Sequence, residues 1–271
     1  MKFMSVCVEC LESDSRGTLI YVPFQDGGLY DVTCEFGHRR RFVVQEHPFE
    51  MLYQIASNAI LDGYYREAVT SFAASLERFY EFSVRVLLRA RGLEHAEIQE
   101  AWTAITDRSE RQLGAFVAMW TAQFKTPPEV LSGKKQNFRN DVVHKGVIPT
   151  REKSLGFGQA VLDLIRAQRS ILKSAHQREI SEIVGRRNGD LMRSAGQGVQ
   201  VSLTVTPSAV SISDASPPIE TLAEIIEKMQ QNREMFDKMI RTFKQHAERQ
   251  GRPTILGEAI RKESNENGGN A

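Results

Sequence analysis

Arg66-Glu67-Ala68-Val69-Thr70-Ser71-Phe72-Ala73-Ala74-Ser75-Leu76-Glu77-Arg78-Phe79-Tyr80-Glu81 returns an apolar side chain to one face every three or four positions. That is the period of an α-helix half buried against its neighbours. Over the wider run 65–91 the inner stripe is Ala68, Val69, Phe72, Leu76, Phe79, Tyr80, Ser83 and Leu87, and Gly92 ends it. Upstream, Phe49, Leu52, Tyr53, Ile55, Ala56, Ala59 and Ile60 keep the same spacing from Pro48 until Asp62-Gly63. Downstream, helices are expected at about 94–106, 109–124, 128–145 and 155–184. Pro127-Pro128 gives the start signal for the third of these. In the last, Val161, Leu164, Ile165, Ile171, Leu172 and Ala175 face inward. The chain therefore reads as mainly α, with Trp102 and Trp120 in its core.

Both ends of the helical run differ from it. Leu19-Ile20-Tyr21-Val22 and Leu29-Tyr30-Asp31-Val32 read as short strands around Asp26-Gly27-Gly28, and Arg41-Phe42-Val43-Val44 as a third. All three cysteines lie in the first 34 residues, so they cannot all pair within the chain. Cys7-Val8-Glu9-Cys10 has C-x2-C spacing and Cys34-Glu35-Phe36-Gly37-His38 has C-x3-H spacing. Two close pairs on a hairpin are how a tetrahedral zinc site is assembled. Gly37 permits the sharp turn that brings His38 to the metal, with His47 a distant alternative ligand. A module of roughly 45 residues has a marginal core on its own, and structural zinc adds on the order of 10 kcal/mol of apparent binding energy to such a fold. The expectation is a zinc ribbon held by Cys7, Cys10, Cys34 and His38, a closed structural site. Metal-free buried thiols are the plainer alternative.

After Gly185-Arg186-Arg187-Asn188-Gly189, Val199, Val201, Leu203 and Val205 alternate with polar residues, and Val210 and Ile212 follow Thr206-Pro207-Ser208. This predicts an edge β-hairpin. Beyond Ser216-Pro217-Pro218, Leu222, Ile226, Met229, Arg233, Phe236, Ile240 and Phe243 step alternately by four and three. The run fits a coiled-coil seam or a helix packed on its own domain. The expected organisation is a ribbon at 1–46, a helical domain at 47–185, a linker with the hairpin at 186–217, an amphipathic helix at 218–250 and a disordered tail at 251–271.

Composition is that of an ordinary globular chain, 41% hydrophobic and 25% charged, with a formal charge of +1. No apolar run approaches the roughly 20 residues that span a bilayer, so no membrane association is expected. MKFMSVCVEC lacks the long apolar core of a secretory signal, which predicts a cytoplasmic protein.

The chemistry is concentrated in Phe138-Arg139-Asn140-Asp141-Val142-Val143-His144-Lys145-Gly146. Arginine offers a fixed positive fork for a phosphate, and histidine exchanges protons near neutral pH. His144 should sit in the last turn of its helix, where the macrodipole favours imidazolium and proton donation. A five-residue step turns by about 140°, so convergence with Arg139 depends on the reach of the arginine. Asn140 could hold the histidine or a phosphate oxygen, and Lys134-Lys135 add positive charge upstream. The plainer alternative pairs Arg139 with an acidic residue and leaves His144 as a helix cap. Arg39-Arg40-Arg41 could contact an RNA backbone or form a solvated strand edge.

Arg139-Asn140 with His144 closely resembles the R-N-x3-H form of the HEPN family signature, and the helix around Arg66–Glu81 resembles that family's first long helix, with Glu77 a polar partner in the same cleft. The resemblance covers about half the chain. It implies an all-α bundle of four or five helices and a metal-independent endoribonuclease, with Arg139 and His144 catalytic and Asn140 in support. It also implies a toxin or abortive-infection (anti-phage) role, with an inhibitor, activating ligand or infection-derived trigger. One Arg-His pair is thin for phosphoryl transfer, and a two-fold homodimer doubles it. RNA supplies its own 2′-OH nucleophile. Alternatives with the same fold are a non-catalytic RNA- or protein-binding adaptor and a regulatory subunit that holds an RNA end or a nucleotide without cutting.

Overall fold

The computed structural model describes residues 2–7, 9–10, 18–34, 36–106, 109–196, 201–204, 208–213 and 220–249. The protein is mainly helical with small sheets. Contacts divide the chain into a helical unit, 46–187 with 207–238, and a second unit drawn from 1–45, 188–206 and 239–271.

In the helical unit, α1 (Pro48–Leu61) begins where Pro48 presets the first turn. The Glu50 carboxylate accepts from the backbone N–H of His47 at 2.6 Å. It stops at Asp62-Gly63, where Gly63 takes a φ of +80°. α2 (Tyr65–Ala90) buries the whole stripe read from sequence, from Ala68 and Val69 to Ser83 and Leu87. Its Phe72 rests against Tyr53 at 4.9 Å between ring centroids, and Phe79 against Phe49 at 5.4 Å. Side chains of this size each stabilise the fold by about 1.5–3 kcal/mol when fully buried. α3 (His95–Thr103) and α4 (Ser109–Phe124) follow, with Trp102 and Trp120 in the core as expected.

α5 (Gly133–His144) starts later than the two prolines indicated. The segment through Pro127 and Pro128 has no regular secondary structure, in line with the bias of residues preceding proline against the helical conformation. Ser132 supplies the cap instead, its hydroxyl accepting from the N–H of Lys135 at 3.5 Å. Gln168 donates to the Glu129 carbonyl at 2.5 Å and holds this connection down. α6 (Arg151–Ser194) outruns the expected helix at both ends. Its interior is interrupted at buried His176, whose φ of −138° and ψ of 37° are not helical. At Gly158 it passes so close to α2 that a Cβ would lie 2.5 Å from both Phe72 Cε2 and Leu222 Cδ2. A larger residue there would force Phe72 or Leu222 to shift.

Leu222 and Ile226 open α7 (Leu222–Arg249) and are fully buried on the helical unit, with Met229 packed beside them. The start of this helix therefore packs in cis. At the next seam position Arg233 is half exposed and reaches Asp62 at 2.6 Å.

The second unit contains a two-stranded and a three-stranded sheet. β1 (Lys2–Cys7), not anticipated from sequence, pairs antiparallel with β2 (Thr18–Pro23). β3 (Leu29–Thr33) pairs antiparallel with β4 (Arg39–Val44). The turn at Asp26-Gly27-Gly28 thus links two sheets. β5 (Val201–Thr204) lies parallel to β4, so the expected hairpin at this point is not formed among the described residues. Val210 and Ile212 belong instead to a turn in the core of the helical unit. There the N–H of Ile212 donates to the Glu50 carboxylate at 2.7 Å. Burial of two apolar side chains and one satisfied carboxylate outweighs a ladder on an edge. Val199, Val205, Pro217 and the tail 251–271 lie outside the described residues. No helix among the described residues is long and apolar enough to cross a membrane.

Candidate functional site

Cys7 ends β1 and Cys10 lies just beyond it, while Cys34 and His38 flank the turn joining β3 to β4. That turn is closed by the Cys34 N–H donating to the His38 carbonyl at 3.0 Å and the Gly37 N–H to the Cys34 carbonyl at 2.9 Å. Gly37 adopts a φ of +84°, the left-handed conformation the turn requires. The four ligand atoms all lie within 4.8 Å of one another.

The individual distances test the site's fit to a metal. A tetrahedron with Zn–S near 2.3 Å and Zn–N near 2.0–2.1 Å has edges of about 3.8 Å between sulfurs and about 3.6 Å from sulfur to nitrogen. Cys10 Sγ lies 3.7 Å from Cys34 Sγ, and His38 Nδ1 lies 3.7, 3.3 and 3.5 Å from Cys7, Cys10 and Cys34. These spacings fit a four-coordinate ion and are far too long for a disulfide. Burial pushes the Cys7 thiol up to about 12, with hydrogen bonds to Cys10, Glu9 and Cys34 also contributing. A cation reverses that cost, because a coordinating thiol is deprotonated. The four residues can therefore bind a metal. His47 takes no part, since it packs edge-on to Phe82 at 4.8 Å in the helical unit, where burial holds its imidazole down to about 3.

Arg39-Arg40-Arg41 separates by strand alternation. Arg40 is 2% exposed and ion-paired with Glu9, one of the two residues between the first two cysteines. Burial would raise the Glu9 carboxyl, but the bond from Arg40 holds it below the ordinary range. Arg40 thus braces the two ligand pairs and is not available to a nucleic-acid backbone. On the other face Arg39 and Arg41 both reach Asp31, at 2.5 and 3.2 Å, and form a solvated ion-pair cluster.

In the helical unit, Val142 is buried and Phe138 meets Phe157 at 5.8 Å, so this side of α5 faces inward. Arg139 then projects toward α2, where its Nη2 donates to Glu77 Oε1 at 2.8 Å. Its Nη1 donates to Asn140 Oδ1 at 3.1 Å and lies 3.4 Å from His144 Nε2. The four residues Glu77, Arg139, Asn140 and His144 are therefore one connected group, despite the angular offset between positions 139 and 144. Arginine can only donate, so a hydrogen bond at this contact takes Nε2 as its acceptor. His144 is exposed in the last turn.

Lys134 is exposed, but Lys135 is not free for phosphate. Its ammonium donates to the Gly156 carbonyl and burial lowers its pKa, so it docks α5 onto α6. Sequence reasoning missed a cleft of about 190 Å³ on the other side of Arg139 and Asn140, between α2, the start of α4 and the 130–131 connection. No local signal marks it, because its walls come from four separate segments. Comparison of the chain with family models, curated proteins and solved structures finds no match in any of them.

Proposed function

We propose that the chain is a metal-independent endoribonuclease of the HEPN type, its helical unit a HEPN-like bundle and its N-terminal strands a ribbon closed by structural zinc. The observation that carries the reading is the Glu77–Arg139–His144 chain of contacts, 2.8 and 3.4 Å, beside an open cleft. Arg139, held from behind by Glu77, supplies the fork for a phosphodiester oxygen. Nε2 of His144 takes the proton of the substrate 2′-OH, O2′ attacks phosphorus, and the 5′-oxygen leaves with a proton from an acid. One protomer contributes a single histidine here, so the acid is His144 of a second copy across a two-fold homodimer. The products are a 2′,3′-cyclic phosphate and a 5′-OH. Any toxin or anti-phage role, with its trigger or inhibitor, follows from the resemblance alone, as does a cytoplasmic site of action.

The test is cleavage of total cellular RNA in EDTA by the parent and by His144→Ala, with analysis of the product ends. Cyclic-phosphate ends from the parent alone support the reading. Intact RNA from both, in folded dimers, favours the adaptor. One observation already suits that second reading: an arginine neutralised by Glu77 also serves as a bridge between α2 and α5.

A further inference from the structure

We infer that the cleft beside Arg139 is a base-specificity subsite for guanine, with the Glu110 carboxylate as its reader. The inference rests on the reading of Arg139 as a phosphodiester-binding group, because Arg139 and Asn140 line this cleft as well as contacting His144 or each other. A phosphate held on that arginine leaves an adjoining base within reach of the cleft.

At about 190 Å³ the cleft is smaller than the roughly 300 Å³ or more of pockets that enclose a drug-sized ligand. It suits one base and not a whole nucleotide. Its floor is apolar, from Leu76 and Tyr80 on α2 and Leu113 on α4, and its rim is polar, with Glu110 and Gln136 exposed. Splayed single-stranded bases are bound in this way, one face on apolar surface and an edge read by hydrogen bonds.

The state of the rim selects the base. Glu77 is committed to Arg139, and Gln112 is held between Arg78, at 2.7 Å, and the Thr106 carbonyl, at 3.0 Å. The side chains of Glu110 and Gln136 have no hydrogen-bond or ion-pair partner among the described residues. A carboxylate accepts through two oxygens and donates nothing. Guanine alone among the RNA bases presents two adjacent N–H donors, at N1 and N2, on one edge. Adenine and cytosine set a ring-nitrogen acceptor beside their amino group, and uracil flanks its single N–H with two carbonyls. Each of these would aim a lone pair at Glu110. The amide of Gln136 can donate to guanine O6.

The test uses the full chain carrying His144→Ala, so that binding is read without cutting. The probes are fluorescent hexaadenylate and the same hexamer with one central guanine. The guanine hexamer is expected to bind about tenfold or more tightly, the discrimination typical of a bidentate base contact. Glu110→Gln should erase the preference, and Leu113→Trp, which fills the cleft, should do the same. Equal binding of the two hexamers, no binding of either, or a preference that survives both substitutions would overturn the subsite. Failure of the nuclease reading is separable: guanine-dependent binding with no cleavage by the parent removes the enzyme and leaves the subsite. Cleavage indifferent to neighbouring guanine removes the subsite and leaves the enzyme.

Discussion

Glu77 gives the sharpest way to separate a working Arg139 from a structural one. The pair is 2.8 Å long, with side chains 24% and 30% exposed. Ion pairs this open to solvent contribute at most about 1 kcal/mol to stability, which for a unit of this size moves the melting temperature by about 2–4 °C. The cost to catalysis should be larger. Once Glu77 is lost, the guanidinium is held only by its neighbours Asn140 and His144, and a misplacement of about 1 Å in a positioned group costs on the order of 100-fold in rate. Glu77→Ala should therefore lose about 100-fold in kcat with little change in KM. Glu77→Gln keeps an oxygen acceptor in the same place and should recover about tenfold of that loss. The assay is turnover of a fluorophore–quencher RNA in EDTA, run beside thermal melting of each variant. Full activity in Glu77→Ala would refute the positioning role. So would a loss of activity that tracks a large fall in melting temperature equally in both variants.

Two further outcomes follow from the same structure. Protein produced with zinc should carry one equivalent per chain by elemental analysis, and Cys34→Ser should carry none. A metal-free parent with reactive thiols would overturn the tetrahedral assignment. Stability should also depend on pH through a buried pair at the start of α1. Burial pushes Glu50 up to about 7 from an ordinary 4.5 and His47 down to about 3 from 6.5. The folded state thus holds the Glu50 proton more tightly, a contribution that is complete below pH 4.5 and lost as pH rises through 7. It disfavours protonation of His47, a contribution complete above 6.5 and lost as pH falls through 3. Between 4.5 and 6.5 the two slopes oppose and the melting temperature should be nearly level. Between 6.5 and about 7 it should fall, with a slope of at most about 1.4 kcal/mol per pH unit, before levelling off, and Glu50→Gln should remove that fall. An unchanged fall in the variant would place its origin elsewhere.

Local chemistry along the chain determined much of this molecule. A 3.6-residue period needs only neighbours along the chain, so the buried face of α2, the stop at Gly63 and the inward tryptophans were readable directly. The cysteine and histidine pairs were readable for the same reason. Each pair lies within five residues, and turn geometry brings its members together whatever the rest of the chain does. Tertiary structure decided what depends on partners far along the sequence. Arg39, Arg40 and Arg41 are identical as letters, yet the arrival of Glu9 from 31 residues upstream gives the buried middle one a counter-charge. β5 could pair with a following segment until β4 offered a parallel edge and the core took Val210 and Ile212. Prolines announced α5, but its start was set by a serine cap and by the anchoring of the preceding loop to Gln168. The contact that joins Glu77 to Arg139 spans 62 positions. The cleft exists only because α2, α4 and α5 meet there, since no periodicity within one segment encodes the space left between several.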